Sequence, residues 1–188
     1  EAAESGGGDD LTIALLLPES KTTRYETFDR PLFEAAIKKD CADCTIIYSN
    51  ADQDPAKQQQ QAEAALTQGA NVLVLDPVDG KAAAAVANSA KGQGVPVVAY
   101  DRFIEGADYY MSFDNERVGE LQAEALVEAT GGTGDILMLN GSPDDPNAAQ
   151  FKKGAHGVID ESDLNVVAEY DNPDWSPENA QEFTGDQL

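Results

Sequence analysis

Val97-Val98-Ala99-Tyr100-Asp101-Arg102 carries the architecture in miniature: a short apolar run, opened by two β-branched residues, meets a carboxylate and then a guanidinium. A run of this kind without polar alternation marks a strand covered on both faces, as in a parallel sheet. In such a sheet the residue just past a strand's carboxyl end faces the ligand crevice. Asp101 and Arg102 are therefore expected where an acid accepts from one hydroxyl and its neighbour donates to another.

The same signature recurs along the chain. Thr12 to Leu17 is a continuous apolar strand stopped by Pro18, Thr45 to Tyr48 is a short one, and Val72 to Leu75 is closed by Asp76-Pro77. Tyr109 to Phe113 alternates, and Ile136 to Leu139 and Val166 to Tyr170 are further strands. Helical segments lie between them. Tyr25, Phe28, Leu32, Phe33, Ala36 and Ile37 recur at helical spacing. Asp54-Pro55 is a capped helix start, and the tract Gln58 to Gln61 reads as that helix's solvated face. Ala82 to Ala90, Glu116 to Thr130 (capped by Asp114 or Asn115), about Asn147 to Asp160, and Pro177 to Leu188 complete the set. Uninterrupted β-α repetition predicts an α/β doubly wound parallel sheet with helices on both faces. Only two clear strands follow residue 113, too few for a full sheet. The expected organisation is a flexible leader over 1–10, a complete first lobe over 11–113 and an incomplete second lobe over 114–188.

Charge narrows the partners. The chain holds 12 basic against 35 acidic residues, a formal −23, and such a surface repels phosphate backbones and anionic lipid heads. No nucleic-acid partner is expected. No run of about eighteen apolar residues is present to span a bilayer. The glycine-rich opening Glu1 to Asp10 reads as the stalk of an exported protein or as a plain disordered end. The two cysteines form Cys41-Ala42-Asp43-Cys44. Zinc would need about four ligands, and the chain offers no other cysteine and only His156. The pair follows a helix instead of opening one, which disfavours a redox pair. A structural disulfide is favoured, with two free thiols as the alternative.

Polar clusters follow the predicted strands. Lys21, Arg24 and Tyr25 come after the first, and Asp76 to Gly80 forms a turn and helix cap. Asn140 to Asn147 is rich in acceptors and amides, equally suited to capping the next helix, and it lacks the spacing of an EF-hand. Asp174-Trp175-Ser176-Pro177 places the only tryptophan on a loop, where its ring could cover a sugar's apolar face. Catalysis finds no anchor: His156 lies mid-helix, and the nucleophile elbow, P-loop and dinucleotide fingerprints are absent.

Tyr100-Asp101-Arg102, the stretch Tyr110 to Ala123, Asn140-Gly141-Ser142-Pro143 and Trp175 to Ala180 together resemble the D-xylose-binding proteins of ABC importers, within the type I periplasmic sugar-binding family, from about Leu11 to Leu188. The resemblance implies two doubly wound lobes closing on a sugar. It implies that Arg24 is the first-lobe arginine, and that Tyr25 stands where the family usually has a stacking tryptophan. It implies that Asp101 and Arg102 are the hydroxyl-binding acid and base, Asp145 and Asn147 the second-lobe polar pair, and Trp175 the opposite stacking ring. It further implies no cofactor, no metal and no enzymatic activity. The expected partners are a monosaccharide, D-xylose for preference, and the membrane permease of an ABC importer. The protein is expected outside the cytoplasm, as a monomer, with any membrane association through a lipid anchor. The family chain is longer, so the resemblance also implies a truncated receptor with weak or no sugar affinity of its own. The rival readings are the effector domain of a sugar-sensing repressor, which would need a basic helix-turn-helix ahead of residue 11, and an α/β enzyme acting on a sugar.

Overall fold

A computed structural model describes residues 11–188, so the expected leader over 1–10 lies outside the described residues. The described chain forms two compact units. One runs to Tyr100 and takes in Ile104–Met111; the other comprises Asp101–Phe103 and Ser112–Leu188.

The first unit is built from β1 (Thr12–Leu17), a π-helical turn (Tyr25–Asp29) that runs into α1 (Arg30–Asp40), β2 (Thr45–Asn50), α2 (Pro55–Thr67), β3 (Val72–Leu75), α3 (Ala83–Gly92), β4 (Val97–Tyr100) and β5 (Tyr109–Met111). Its strands form one parallel sheet in the order β2-β1-β3-β4-β5. The unbroken apolar run of β1 is explained by burial on both faces. Ala14 and Leu16 join Leu73, Leu75 and Ala99 under α2 and α3, while Leu15 and Leu17 join Val74 and Tyr25 on the opposite side. Each fully buried leucine contributes about 1.5–3 kcal/mol.

Caps set the helix starts. The Asp54 carboxylate accepts from the N–H groups of Ala56 and Lys57, ahead of Pro55 in the first turn of α2. The glutamine tract is not wholly a solvated face. Gln58 is buried; its amide donates to Asp76 O at 2.8 Å and accepts from Val78 N–H at 2.9 Å, tying α2 to the loop after β3. Gln61 donates to Asn50 O. A long amide that satisfies backbone groups can be buried, and apolar periodicity carries no trace of that.

The second unit contains α4 (Asn115–Thr130), β6 (Thr133–Asn140), α5 (Pro146–Ile159), β7 (Asp163–Asp171), a short 3-10 turn (Pro173–Trp175) and α6 (Pro177–Gln187). Among the described residues its sheet is the parallel pair β6-β7. Both strands extend beyond their apolar centres because polar ends such as Thr133 and Asp163 continue the ladder. β5, in contrast, stops at Met111, short of the expected Phe113. A bulge leaves Val167 without a partner, since Ile136 pairs with Val166 and Leu137 with Ala168. Ahead of the bulge, Leu164 and Val166 pack with Met138, Ala155 and Ile159; past it, Glu169 and Asp171 take over that face. α4 and α5 meet backbone to backbone: a Cβ at Gly154 would strike the Glu116 carbonyl, and one at Gly119 the Phe151 carbonyl.

Candidate functional site

β4 ends at Tyr100, and Asp101 follows with φ 65, a left-handed conformation for a residue with a side chain. Holding a non-glycine residue there costs about 1–3 kcal/mol, which the surroundings must offset. Asp101 is 9% exposed and Arg102 4%. Arg102 Nε donates to Asp145 Oδ2 at 2.9 Å. Asp145 is also the N-cap of α5, its Oδ1 accepting from Asn147 N–H at 2.8 Å. The Trp175 indole N–H donates to Asp145 Oδ2 at 3.0 Å. Burial pushes the Asp145 carboxyl upward in pKa, against the pull of the Arg102 charge and of the Asn147 and Trp175 hydrogen bonds.

Asn147 closes the group. Its Nδ2 donates to both the carbonyl (3.1 Å) and the Oδ1 (3.2 Å) of Asp101. That assigns Oδ1 of Asn147 as the acceptor end, and this buried oxygen has no hydrogen-bond donor among the described residues. An unmatched buried acceptor costs about 1–3 kcal/mol, and a hydroxyl group would satisfy it. Asp101, Arg102, Asp145, Asn147 and Trp175, from three stretches of sequence, thus form one hydrogen-bonded group in the second unit.

Trp175 follows Asp174, and both are left-handed, with φ 53 and 56. Its ring lies against Gly141, the residue after β6.

Arg24 and Tyr25 belong to the first unit. Arg24 pairs with Asp29 Oδ2 through Nε at 2.9 Å and Nη2 at 2.8 Å. Its guanidinium carbon lies 4.9 Å from the Tyr25 ring centroid. Tyr25 itself is 3% exposed and packs with Leu15, Leu17 and Val74. Tyr100 adjoins this ion pair; burial first, then the Asp29 charge, pushes its phenol up to about 12.

Cys41 and Cys44 are joined by a disulfide between α1 and β2. His156 sits on α5 between Asp160 and Glu169. Among the described residues no cluster of His, Cys, Asp and Glu is suited to a metal ion, and no helix is long and apolar enough to cross a membrane.

Sequence reasoning missed Asp29 and Gly141. Asp29 lies five positions after Arg24, across the π-helical turn, and so outside the usual helical pairing distance. Gly141 looks like any turn glycine until the tryptophan ring is placed.

The chain is 34% identical over 177 residues to the D-xylose-binding periplasmic protein of Escherichia coli (strain K12), covering 91% of this chain and 52% of that one. It is 38% identical over 148 residues to the multiple sugar-binding periplasmic receptor ChvE of Rhizobium radiobacter, covering 69% of this chain and 42% of the other. A solved ABC transporter solute binding protein from Clostridium phytofermentans, with bound β-D-glucose, matches with a TM-score of 0.83 at 28% identity, over 94% of this chain and 59% of that one. The chain thus spans about half the length of the curated relatives it matches. Residues 13–188 match the periplasmic binding protein domain, and the chain belongs to that family.

Proposed function

We propose that the protein is the extracytoplasmic substrate-binding component of an ABC sugar importer, with D-xylose as the favoured cargo, delivered to a membrane permease. The observation that carries this reading is the buried group Arg102–Asp145–Trp175 with Asn147–Asp101, in which an acceptor of Asn147 awaits a donor. A neutral monosaccharide offers many hydroxyls and no charge. Hydrogen bonds to ionised partners are the strong ones available to it, about 1.5–3 kcal/mol each. In this reading Asp101, Arg102 and Asn147 take hydroxyls, and the Trp175 ring covers C–H groups. Asp145 holds Arg102 and the Trp175 ring in place. A receptor releases its cargo unchanged, so no nucleophile is required. Xylose as the cargo is supported by the identity with the Escherichia coli xylose-binding protein. The names of the other relatives carry several sugars, which makes a panel of sugars the proper test.

The test is calorimetric titration of D-xylose, D-ribose, L-arabinose and D-glucose into a full-length version of the protein. Xylose is expected to bind most tightly. Asp101→Ala, which removes a buried carboxylate acceptor, is expected to cost about 1.5–3 kcal/mol, roughly tenfold to 150-fold in Kd. Unchanged affinity would remove Asp101 from the site, and no heat from any of the sugars would end the proposal.

A further inference from the structure

We propose that Gly141 is a positioning residue for sugar binding: its bare backbone is the seat of the Trp175 ring, and the seated indole reaches the carboxylate that holds Arg102. The role in sugar binding rests on the function proposed above; the seat itself stands on geometry alone. A Cβ built at residue 141 would fall on the Cη2 and Cζ2 atoms of Trp175, and within 2.7 Å of Cζ3. The glycine is not there for its backbone. Gly141 is absent from the glycines with positive φ, so its conformation would admit a residue with a side chain. The ring is what excludes one.

The loop that carries Trp175 is fastened to the same residue. Asn172 N–H donates to the Gly141 carbonyl at 3.1 Å, and Trp175 N–H donates to the Asn172 carbonyl at 3.3 Å. The side-chain amide of Asn172 donates to Ser176 O at 3.0 Å. The chain leaves Gly141, returns to it through Asn172, and lays the indole back across it. From that seat Nε1 meets Asp145 Oδ2, the atom that also receives Arg102 Nε. Displacing the ring by the width of a methyl group breaks the indole hydrogen bond. That leaves Arg102 to share Asp145 with the α5 cap alone, so bulk at position 141 is read at the arginine. The ring cannot step aside freely, because Asp174 and Trp175 already hold left-handed backbone.

Trp175 is the only tryptophan in the chain, so its emission reports the seat directly, with no sugar present. In Gly141→Ala the emission maximum is expected to shift to the red and acrylamide quenching to increase. The thermal midpoint should fall, and it should not fall when the same substitution is made in a Trp175→Ala background. Unchanged emission would overturn the proposal, as would an equal loss of midpoint in both backgrounds, which would mean that Gly141 packs against something else. If Gly141→Ala alone does not fold, recovery of a folded protein in Gly141→Ala/Trp175→Ala supports the seat and failure to recover refutes it. In a full-length version Gly141→Ala should weaken sugar affinity, and unchanged affinity would overturn the link to binding. Absence of sugar binding by the unaltered protein would overturn the function proposed above, whereas the emission and the paired variants judge the seat.

Discussion

His156 holds its ring between Asp160 Oδ1 at 3.1 Å and Glu169 Oε1 at 3.3 Å, with Lys152 on the same Glu169 oxygen at 2.7 Å. The hydrogen bond to Asp160, opposed by burial and aided by Glu169, raises the His156 pKa above its ordinary 6.5. A raised histidine pKa contributes stability that is complete below the unfolded value of about 6.5 and is lost as pH climbs through the folded value. Burial would lift the Glu169 carboxyl, but hydrogen bonds from Lys152, Asn140 and His156 outweigh it and hold the group at about 2. Glu169 therefore stays ionised throughout this range and supplies a constant charge. His156→Gln is expected to lower the thermal midpoint at pH 5.5 and to leave it close to the parent value at pH 9. A gap that does not narrow between those pH values would remove the charge from the account. None of this cluster was legible in the sequence, where His156 is simply a residue in mid-helix. That Asp101-Arg102 and the pair Asp145 and Asn147 lie beyond strand ends was legible because both follow apolar runs, the first after β4 and the second after β6. What linear order could not show is that Asp145 spends its oxygens on Arg102, Trp175 and its own helix.

α1 ends without a left-handed glycine; Cys41 takes that place, its N–H donating to Ile37 O at 2.7 Å. The disulfide to Cys44 closes the turn into β2, and Cys44 N–H donates to Cys41 O. A bridge across so short a loop restricts the unfolded chain little, about 2 kcal/mol by loop entropy against nearly 5 for a long loop. Reduction is therefore expected to lower the midpoint by about 8–16 °C, at roughly 4–8 °C per kcal/mol for a unit of this size, while the sheet persists. Cys41→Ser/Cys44→Ser should match the reduced protein in thermal melts, and a midpoint equal to that of the oxidised parent would show that the bridge contributes nothing. Elements buried on both faces, β1 and β3 above all, were readable because every residue in them but Thr12 is apolar. Elements with one polar side were readable only at their centres. The bulge at Val167 is invisible to any count of periods, yet it moves Glu169 and Asp171 onto the face of Lys152 and His156. Without it, Ala168 and Tyr170 would hold that face, and Tyr170 instead stacks on Phe183 of α6 at 4.8 Å.

For the whole chain the dominant electrostatic fact is an excess of 23 negative charges, from 35 acidic and 12 basic residues. Several basic groups already hold more than one carboxylate: Arg117 meets Glu120 and Glu124, Arg30 meets Glu26 and Glu34, and Lys152 meets Glu169 and Asp171. Exposed pairs of this kind are worth about 0–1 kcal/mol each, and salt weakens them. The remaining carboxylates repel one another across the surface, and salt weakens that as well. Cations are outnumbered almost threefold, so repulsion is the larger of the two terms, and it favours the unfolded chain, where the charges lie farther apart. Raising the ionic strength from 0.01 M to 0.15 M shortens the screening length from about 30 Å to about 8 Å. The thermal midpoint is expected to rise over that interval, by the same amount in NaCl and KCl, and then to level off once screening reaches the spacing between neighbouring carboxylates. A midpoint that falls with added salt would mean that the ion pairs outweigh the repulsion; a rise in one chloride only would point to binding of that cation instead of general screening.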